Sequence, residues 1–206
     1  MGDYRYVNPE EMAAVGGLAK WKALFAPAGK YGRLLRGKRL VATIQGEGGC
    51  RTLFVHAGLS PDYLKGVVGG GKDPEALLAA LNEGAAAQIR SGDFVRSHAR
   101  DSLWGDHGPL WNRFFSGKSK AVCATVAQTL QQLHCSRMVI GHTVQHGGRI
   151  GSRCGGALQL IDVGLSRAYD GHTAAWQCED GVASALYPDG ARALPLAQGG
   201  VAAADL

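Results

Sequence analysis

The sequence has no apolar run near the ~20 residues that span a bilayer, no C-x-x-C pair and no internal repeat. The first absence argues against a membrane-spanning segment. Met1 is followed at once by polar Gly2-Asp3-Tyr4-Arg5, so no secretory signal is expected there. The five cysteines (Cys50, Cys123, Cys135, Cys154, Cys178) are odd in number and scattered. Zinc-binding spacing is absent, and the pattern predicts reduced, buried thiols in place of a disulfide framework. No compartment is indicated: a cytoplasmic and a plastid location are both compatible with the sequence.

Acid is also missing locally. From Lys20 to Arg39 there are seven basic residues (Lys20, Lys22, Lys30, Arg33, Arg36, Lys38, Arg39) and no Asp or Glu, within a net charge of +5. Such a stretch can steer an anionic substrate or simply form a solvated helix face, which is the commoner outcome. It carries no recognisable nucleic-acid module, so nucleic acid is not an expected partner.

What remains is a globular composition. With 46% hydrophobic and 19% charged residues in 206, the chain can bury one sizeable core. One domain is expected over 1–196, with a frayed Ala/Gly-rich tail at 197–206. Residues 9–36 read as two helical pieces broken at Gly16-Gly17. Two short apolar runs, 40–45 and 52–57, flank Gly46-Glu47-Gly48-Gly49 and predict a hairpin. Asp73-Pro74-Glu75 opens a helix through about Arg90: Asp73 caps, Pro74 suits the first turn and Glu75 complements the dipole. A second helix over 120–134 has Val122, Val126, Leu130 and Leu133 on one stripe. Strands are expected near 137–140, 149–153, 158–163, 174–177 and 182–187. The mixed order predicts an α/β or α+β layer fold.

Several residues carry chemistry. His56 ends an apolar run and is followed by Ala57-Gly58. Its imidazole could ligate a divalent metal or be satisfied by a backbone carbonyl. His142, in Val139-Ile140-Gly141-His142-Thr143, repeats the arrangement, and a plain turn histidine is its alternative. Asp162 ends a third apolar run; a carboxylate there can orient a histidine, bind metal or cap the next turn. Arg113 follows Trp111-Asn112. Its guanidinium fork matches phosphate oxygens or could stack on Trp111 or Phe114. His107, His146 and His172 lie in glycine-rich loops and read as turn residues; His98 and His134 carry no argument. Gly66–Asp73 almost fits a P-loop, but Asp73 stands where a Ser/Thr hydroxyl is needed and no strand precedes it. Gly164-Leu165-Ser166-Arg167-Ala168 lacks the closing glycine of a nucleophile elbow.

In this order the segments resemble the C-terminal portion of a calcineurin-like metallophosphoesterase, in the Shewanella-like branch of the phosphoprotein phosphatases. The resemblance covers about Met1 to Tyr169. It rests on Val55-His56-Ala57-Gly58-Leu59-Ser60-Pro61, Gly108-Pro109-Leu110-Trp111-Asn112-Arg113, Gly141-His142-Thr143 and Ile161-Asp162-Val163-Gly164-Leu165-Ser166. It implies part of a β-sandwich flanked by helices, with the site at strand C-terminal ends. His56 and His142 would ligate one of two divalent metals (manganese, iron or zinc), Arg113 would bind the substrate phosphate, and Asp162 would support the site. The implied reaction is hydrolysis of a phosphorylated protein or a small phosphate ester. In that family two cations neutralise phosphate oxygens and supply the nucleophile.

The family's Asp-x-His-Gly, Gly-Asp-x-x-Asp-Arg and Gly-Asn-His-Glu blocks do not occur in the sequence. They would supply the other metal ligands and the proton donor. The expectation is therefore a chain that starts inside the complete domain and is a poor catalyst by itself. The alternative is a non-catalytic fragment acting as a binding or regulatory module.

Overall fold

The computed structural model describes residues 7–37, 41–68, 73–91 and 102–194. Met1–Tyr6, Lys38, Arg39, residues 69–72 of the Gly66–Asp73 segment, His98 and the tail at 197–206 lie outside them.

Three short helices come first, where two were expected: α1 (Pro9–Ala14), α2 (Leu18–Phe25) and α3 (Lys30–Gly37). Asn8 caps α1 by accepting from the Glu10 and Glu11 amides at 2.8 and 3.4 Å. The chain escapes each helix quickly because Gly16 and Gly17 both take a φ of 91°, and because Ala26-Pro27-Ala28-Gly29 cannot continue α2. The described members of the basic stretch, Lys20, Lys22, Lys30, Arg33 and Arg36, lie on α2 and α3. Arg36 turns back to donate to the carbonyl of Phe25, the last residue of α2, and Arg33 to the Ala28 carbonyl in the connection that follows; the first satisfies an orphaned carbonyl at a helix end.

The hairpin follows as expected: β1 (Ala42–Gln45) pairs antiparallel with β2 (Thr52–Val55). Then come α4 (Pro61–Val68), α5 (Pro74–Ser91), α6 (Val122–Gln132) and β3 (Arg137–Ile140). Asp73 caps α5, its Oδ2 accepting from the Ala76 amide at 3.0 Å. The stripe Val122, Val126, Leu130 and Leu133 is fully buried. After β3 the chain forms β4 (Gly151–Arg153), β5 (Leu158–Leu160), β6 (Ala175–Glu179), β7 (Val182–Tyr187) and β8 (Gly190–Ala193).

The first sheet has the order β1-β2-β3-β5-β4, with β2, β3 and β5 parallel and the two outer strands antiparallel. A parallel β2–β3 step needs a crossover, which α4, α5 and α6 supply. Leu53, Val55, Met138, Ile140, Leu158 and Leu160 pack with the helices in the main core. The second sheet, β6-β7-β8, is antiparallel and meets the first through Phe54, whose ring lies edge-on to Trp176 at 5.4 Å. The result is an α+β fold: a mixed sheet flanked by helices with a small sheet beside it.

The edge strand β1 is protected by a side chain. Buried Asn82 of α5 accepts from the Val41 and Ala42 amides at 2.6 and 3.1 Å and donates to the Ala42 carbonyl at 2.8 Å. One amide group thus substitutes for part of a missing strand.

The cysteine reading is corrected. Two disulfides form, Cys50–Cys178 and Cys123–Cys154, and only Cys135 is free. Spacing in sequence, 128 residues for the first pair, says nothing about spacing in space: the Cα atoms are 5.6 Å apart. That approach depends on glycine. A Cβ on Gly49 would come within 2.9 Å of the Gly181 Cα, so the two sheets close at this corner because position 49 lacks a side chain, while Gly181 supplies the turn with a φ of 81°. Buried Arg137 spans the same corner, donating to the Gly181 carbonyl at 3.1 Å.

Candidate active site

The C-terminal ends of three adjacent parallel strands meet at one edge of the main sheet. His56 follows β2, His142 follows β3 and Asp162 follows β5. Main-chain bonds fix their stagger: the Gly141 amide donates to the His56 carbonyl at 2.9 Å, and the Gln145 amide to the Asp162 carbonyl at 2.7 Å. In open α/β sheets this edge is where ligands bind, because loops diverge there and leave a crevice.

The structure brings the two histidines together. Nε2 of His56 lies 3.1 Å from Nδ1 of His142, and the ring centroids are 4.9 Å apart. His142 sits in the left-handed region, φ 65°, a conformation that costs a non-glycine residue about 1 kcal/mol or more. The tight Thr143 amide to Gly141 carbonyl bond of 2.7 Å holds it there. Its other nitrogen, Nε2, lies 3.2 Å from the Trp111 carbonyl. A carbonyl can only accept, so this contact places the proton on Nε2 and leaves Nδ1 with a free lone pair facing His56.

Both imidazoles favour the neutral form. Desolvation pushes the His56 pKa down, opposed by the Asp162 carboxylate. For His142, desolvation acts first and the Arg113 and His56 charges add to it, while the Trp111 hydrogen bond and Asp162 act the other way. A neutral imidazole is the form that ligates metal.

Arg113 belongs to the same site. Its Nη1 donates to the Thr143 hydroxyl at 2.8 Å and the His142 carbonyl at 3.1 Å, so the guanidinium is held by the histidine loop and not stacked on a ring for want of a partner. Its loop is well anchored. The Ala57 amide donates to the Pro109 carbonyl at 2.8 Å. Asn112, almost fully buried, donates to the Gly108 and Gly58 carbonyls. Arg153 of β4 clamps the far end, donating to the Phe115 and Gly117 carbonyls at 2.7 Å each. Phe115 packs directly under Gly58, where a Cβ would fall 2.1 Å from its ring. Glycine at 58 therefore lets the His56 loop sit on the arginine loop.

Asp162 shows its capping role: Oδ1 accepts from the Gly164 amide at 3.2 Å, while its charge reaches both imidazoles. His172 packs against Gly148, away from any role assigned here. Sequence reasoning missed Asn112 and Thr143 as site-builders and treated Trp111 only as a possible platform for Arg113. The residue types gave no signal, because each acts through a contact made by the fold.

Metal–nitrogen bonds of about 2.0–2.1 Å put neighbouring donors on one ion about 3.0–3.4 Å apart. The 3.1 Å separation fits two positions on a single ion. Among the described residues no group of three or more His, Cys, Asp or Glu could hold a metal, so the donor set fits two ligands of one ion and does not fit a second.

No family model matches the chain. A protein of Schizosaccharomyces pombe described only as uncharacterised is 29% identical over 193 residues, covering 90% of this chain and 54% of that protein. Two solved structures share the fold at 20% identity, each covering 94% of this chain and 54% of the other. They are a mutant of a cold-active protein tyrosine phosphatase, with a TM-score of 0.71, and the cold-active protein-tyrosine phosphatase of a psychrophilic Shewanella species, at 0.68. The chain spans about half the length of the relatives it matches. The fold is thus that of one portion of these phosphatases.

Proposed function

We propose that the chain forms the His56, His142 and Arg113 part of a metal-dependent phosphatase site that hydrolyses phosphate monoesters, on a phosphorylated protein or a small ester. The single observation that carries this reading is the convergence of two neutral imidazoles, 3.1 Å apart, beside a guanidinium fixed to the same loop. His56 Nε2 and His142 Nδ1 would hold one divalent ion, manganese, iron or zinc. Such an ion supplies positive charge against phosphate oxygens and acidifies water. Arg113 would bind and orient the phosphate through its charged fork. The Trp111 carbonyl keeps the His142 proton on Nε2, away from the ligand position. Asp162 biases both rings electrostatically. The two solved phosphatases of the same fold support the reading.

Among the described residues no group of three or more His, Cys, Asp or Glu could hold a metal, and the Gly-Asp-x-x-Asp-Arg and Gly-Asn-His-Glu blocks that would supply further ligands and a proton donor do not occur in the sequence. A calcineurin-like dinuclear centre would need both from elsewhere, and turnover of p-nitrophenyl phosphate by residues 1–206 alone is expected to be poor. The same ligand count favours a second reading, a non-catalytic module that keeps the phosphate site.

The test is titration calorimetry with inorganic phosphate on the chain with and without Zn(II). The phosphatase reading expects phosphate binding that requires the ion and weakens about tenfold or more in Arg113→Ala, the scale of a charged hydrogen bond. Phosphate binding indifferent to both the ion and Arg113 would contradict it. Metal-dependent turnover that is lost in Arg113→Ala distinguishes the enzyme from the module. No membrane contact is proposed: among the described residues no helix is long and apolar enough to cross a bilayer.

A further inference from the structure

Trp111 is the exposed member of the four tryptophans: 56% of its surface faces solvent, while Trp21, Trp104 and Trp176 are half-buried. An exposed indole is ordinary when it stands alone on a surface. This one stands beside the site. Its ring centroid is 5.1 Å from that of His142, tilted by 54°, and its own carbonyl meets His142 Nε2. Arg113, two residues on, is anchored to the Thr143 hydroxyl of the same loop. The main chain around it is rigid, since buried Asn112 is bonded to Gly58 and Gly108. An open aromatic face is therefore held at a fixed place one ring away from the groups that would take a phosphate.

From this arrangement we infer that Trp111 is a specificity residue: its exposed indole face receives the aromatic ring of an aryl phosphate, such as a phosphotyrosine side chain, when the phosphoryl group lies at Arg113 and the histidines. This deepens the phosphatase reading and rests on it. The physical reason is reach. In an aryl phosphate the ring is joined to phosphorus by one oxygen, so a phosphoryl group held at the site brings its ring against a neighbouring side chain. In phosphoserine that place is taken by a small alkyl stem with no face to stack. Ring pairs at centroid distances of 4.5–7 Å add attraction beyond simple burial, and an indole held by its backbone loses little freedom on stacking.

The test uses the Zn(II)-loaded 206-residue chain, with matched phosphotyrosine and phosphoserine peptides and indole N–H NMR. The phosphotyrosine peptide is expected to shift the Trp111 indole signal and the phosphoserine peptide to leave it in place. Trp111→Ala keeps the main-chain carbonyl that His142 uses; it should weaken the phosphotyrosine peptide about tenfold and leave the phosphoserine peptide within twofold. Trp111→Phe should restore most of the loss. The unchanged indole signals of Trp21, Trp104 and Trp176 report that each variant is folded, and Trp111→Phe alone carries the comparison should the alanine variant unfold. Equal loss for both peptides would show that Trp111 merely supports His142, and no loss for either would show that it does nothing; both overturn the inference while leaving the phosphate site intact. If neither peptide binds, and Arg113→Ala behaves as the parent chain, the phosphate-site reading falls and takes this inference with it.

Discussion

The two sheets of this molecule are held by different forces. In the five-stranded sheet Leu53, Met138 and Leu158 are wholly excluded from solvent beneath a layer of helices. In the three-stranded sheet β8 is exposed along its whole length, and the buried residues are small, chiefly Ala183 and Ala185. Alanine side chains bury little area, so at about 25 cal/mol per Å² the second sheet gains far less from water exclusion. It is tied down by a small apolar cluster, in which Ala183 and Ala185 meet Ile150 and Val163, and by point attachments: the Cys50–Cys178 disulfide, the Phe54–Trp176 contact and the Arg149–Asp189 pair. Burial supports the sheet that carries the site, and covalent and charged tethers hold the other against it.

That contrast can be broken from either side. The largest effect is expected in the main sheet. Leu53→Ala should lower unfolding stability by about 2–5 kcal/mol in urea denaturation, whereas Val182→Ala, at an exposed position of the small sheet, should stay within about 0.5 kcal/mol. Equal losses would erase the distinction. Next comes the tether. The double variant Cys50→Ser/Cys178→Ser removes a link closing 128 residues and should cost about 2–5 kcal/mol, with hydrogen exchange accelerated in β6–β8 more than in β2 and β3. Uniform acceleration would place both sheets in one cooperative unit.

The smallest effect is electrostatic. Hydrogen bonds from Arg149 and then Arg192 hold the Asp189 carboxyl down to about 2, below its usual value near ~3.9. A depressed folded-state pKa stabilises above the unfolded value and is lost as pH falls through the folded one. Between about pH 4 and pH 2 the β7–β8 turn should loosen from Arg149 in the parent chain, seen as a pH-dependent shift of the Asp189 carboxyl carbon that Arg149→Gln moves to higher pH. A shift centred at the ordinary aspartate value would show that the pairs do not form. Because the group is fully exposed, global stability should barely change.

The same contrast explains what could be read from the sequence. β2, β3 and β5 lie in apolar runs because both their faces are covered, and the residues that end those runs, His56, His142 and Asp162, were visible for that reason. The helix stripe of α6 and the Asp73 cap were equally legible, being local. β8 (Gly190–Ala193) was not: its residues are exposed and show no alternation. α4 was hidden because Ser60-Pro61-Asp62 reads as the end of a motif as easily as the start of a helix. The Cys50–Cys178 disulfide was misjudged because its pairing goes with the close approach of Gly49 and Gly181, and Cys123–Cys154 because it joins α6 to the turn after β4; no spacing rule contains either contact. Asn112 and Asn82 likewise act only through carbonyls and amides that the fold delivers to them.

His56 and His142 are proposed to form one cation site. Titration calorimetry of the chain with Zn(II) tests it most directly, alongside His56→Ala and His142→Ala. A shared site binds near one ion per chain, and each substitution weakens it about tenfold or more, since each removes one of two ligands. Zn(II) affinity unchanged by both substitutions would contradict it.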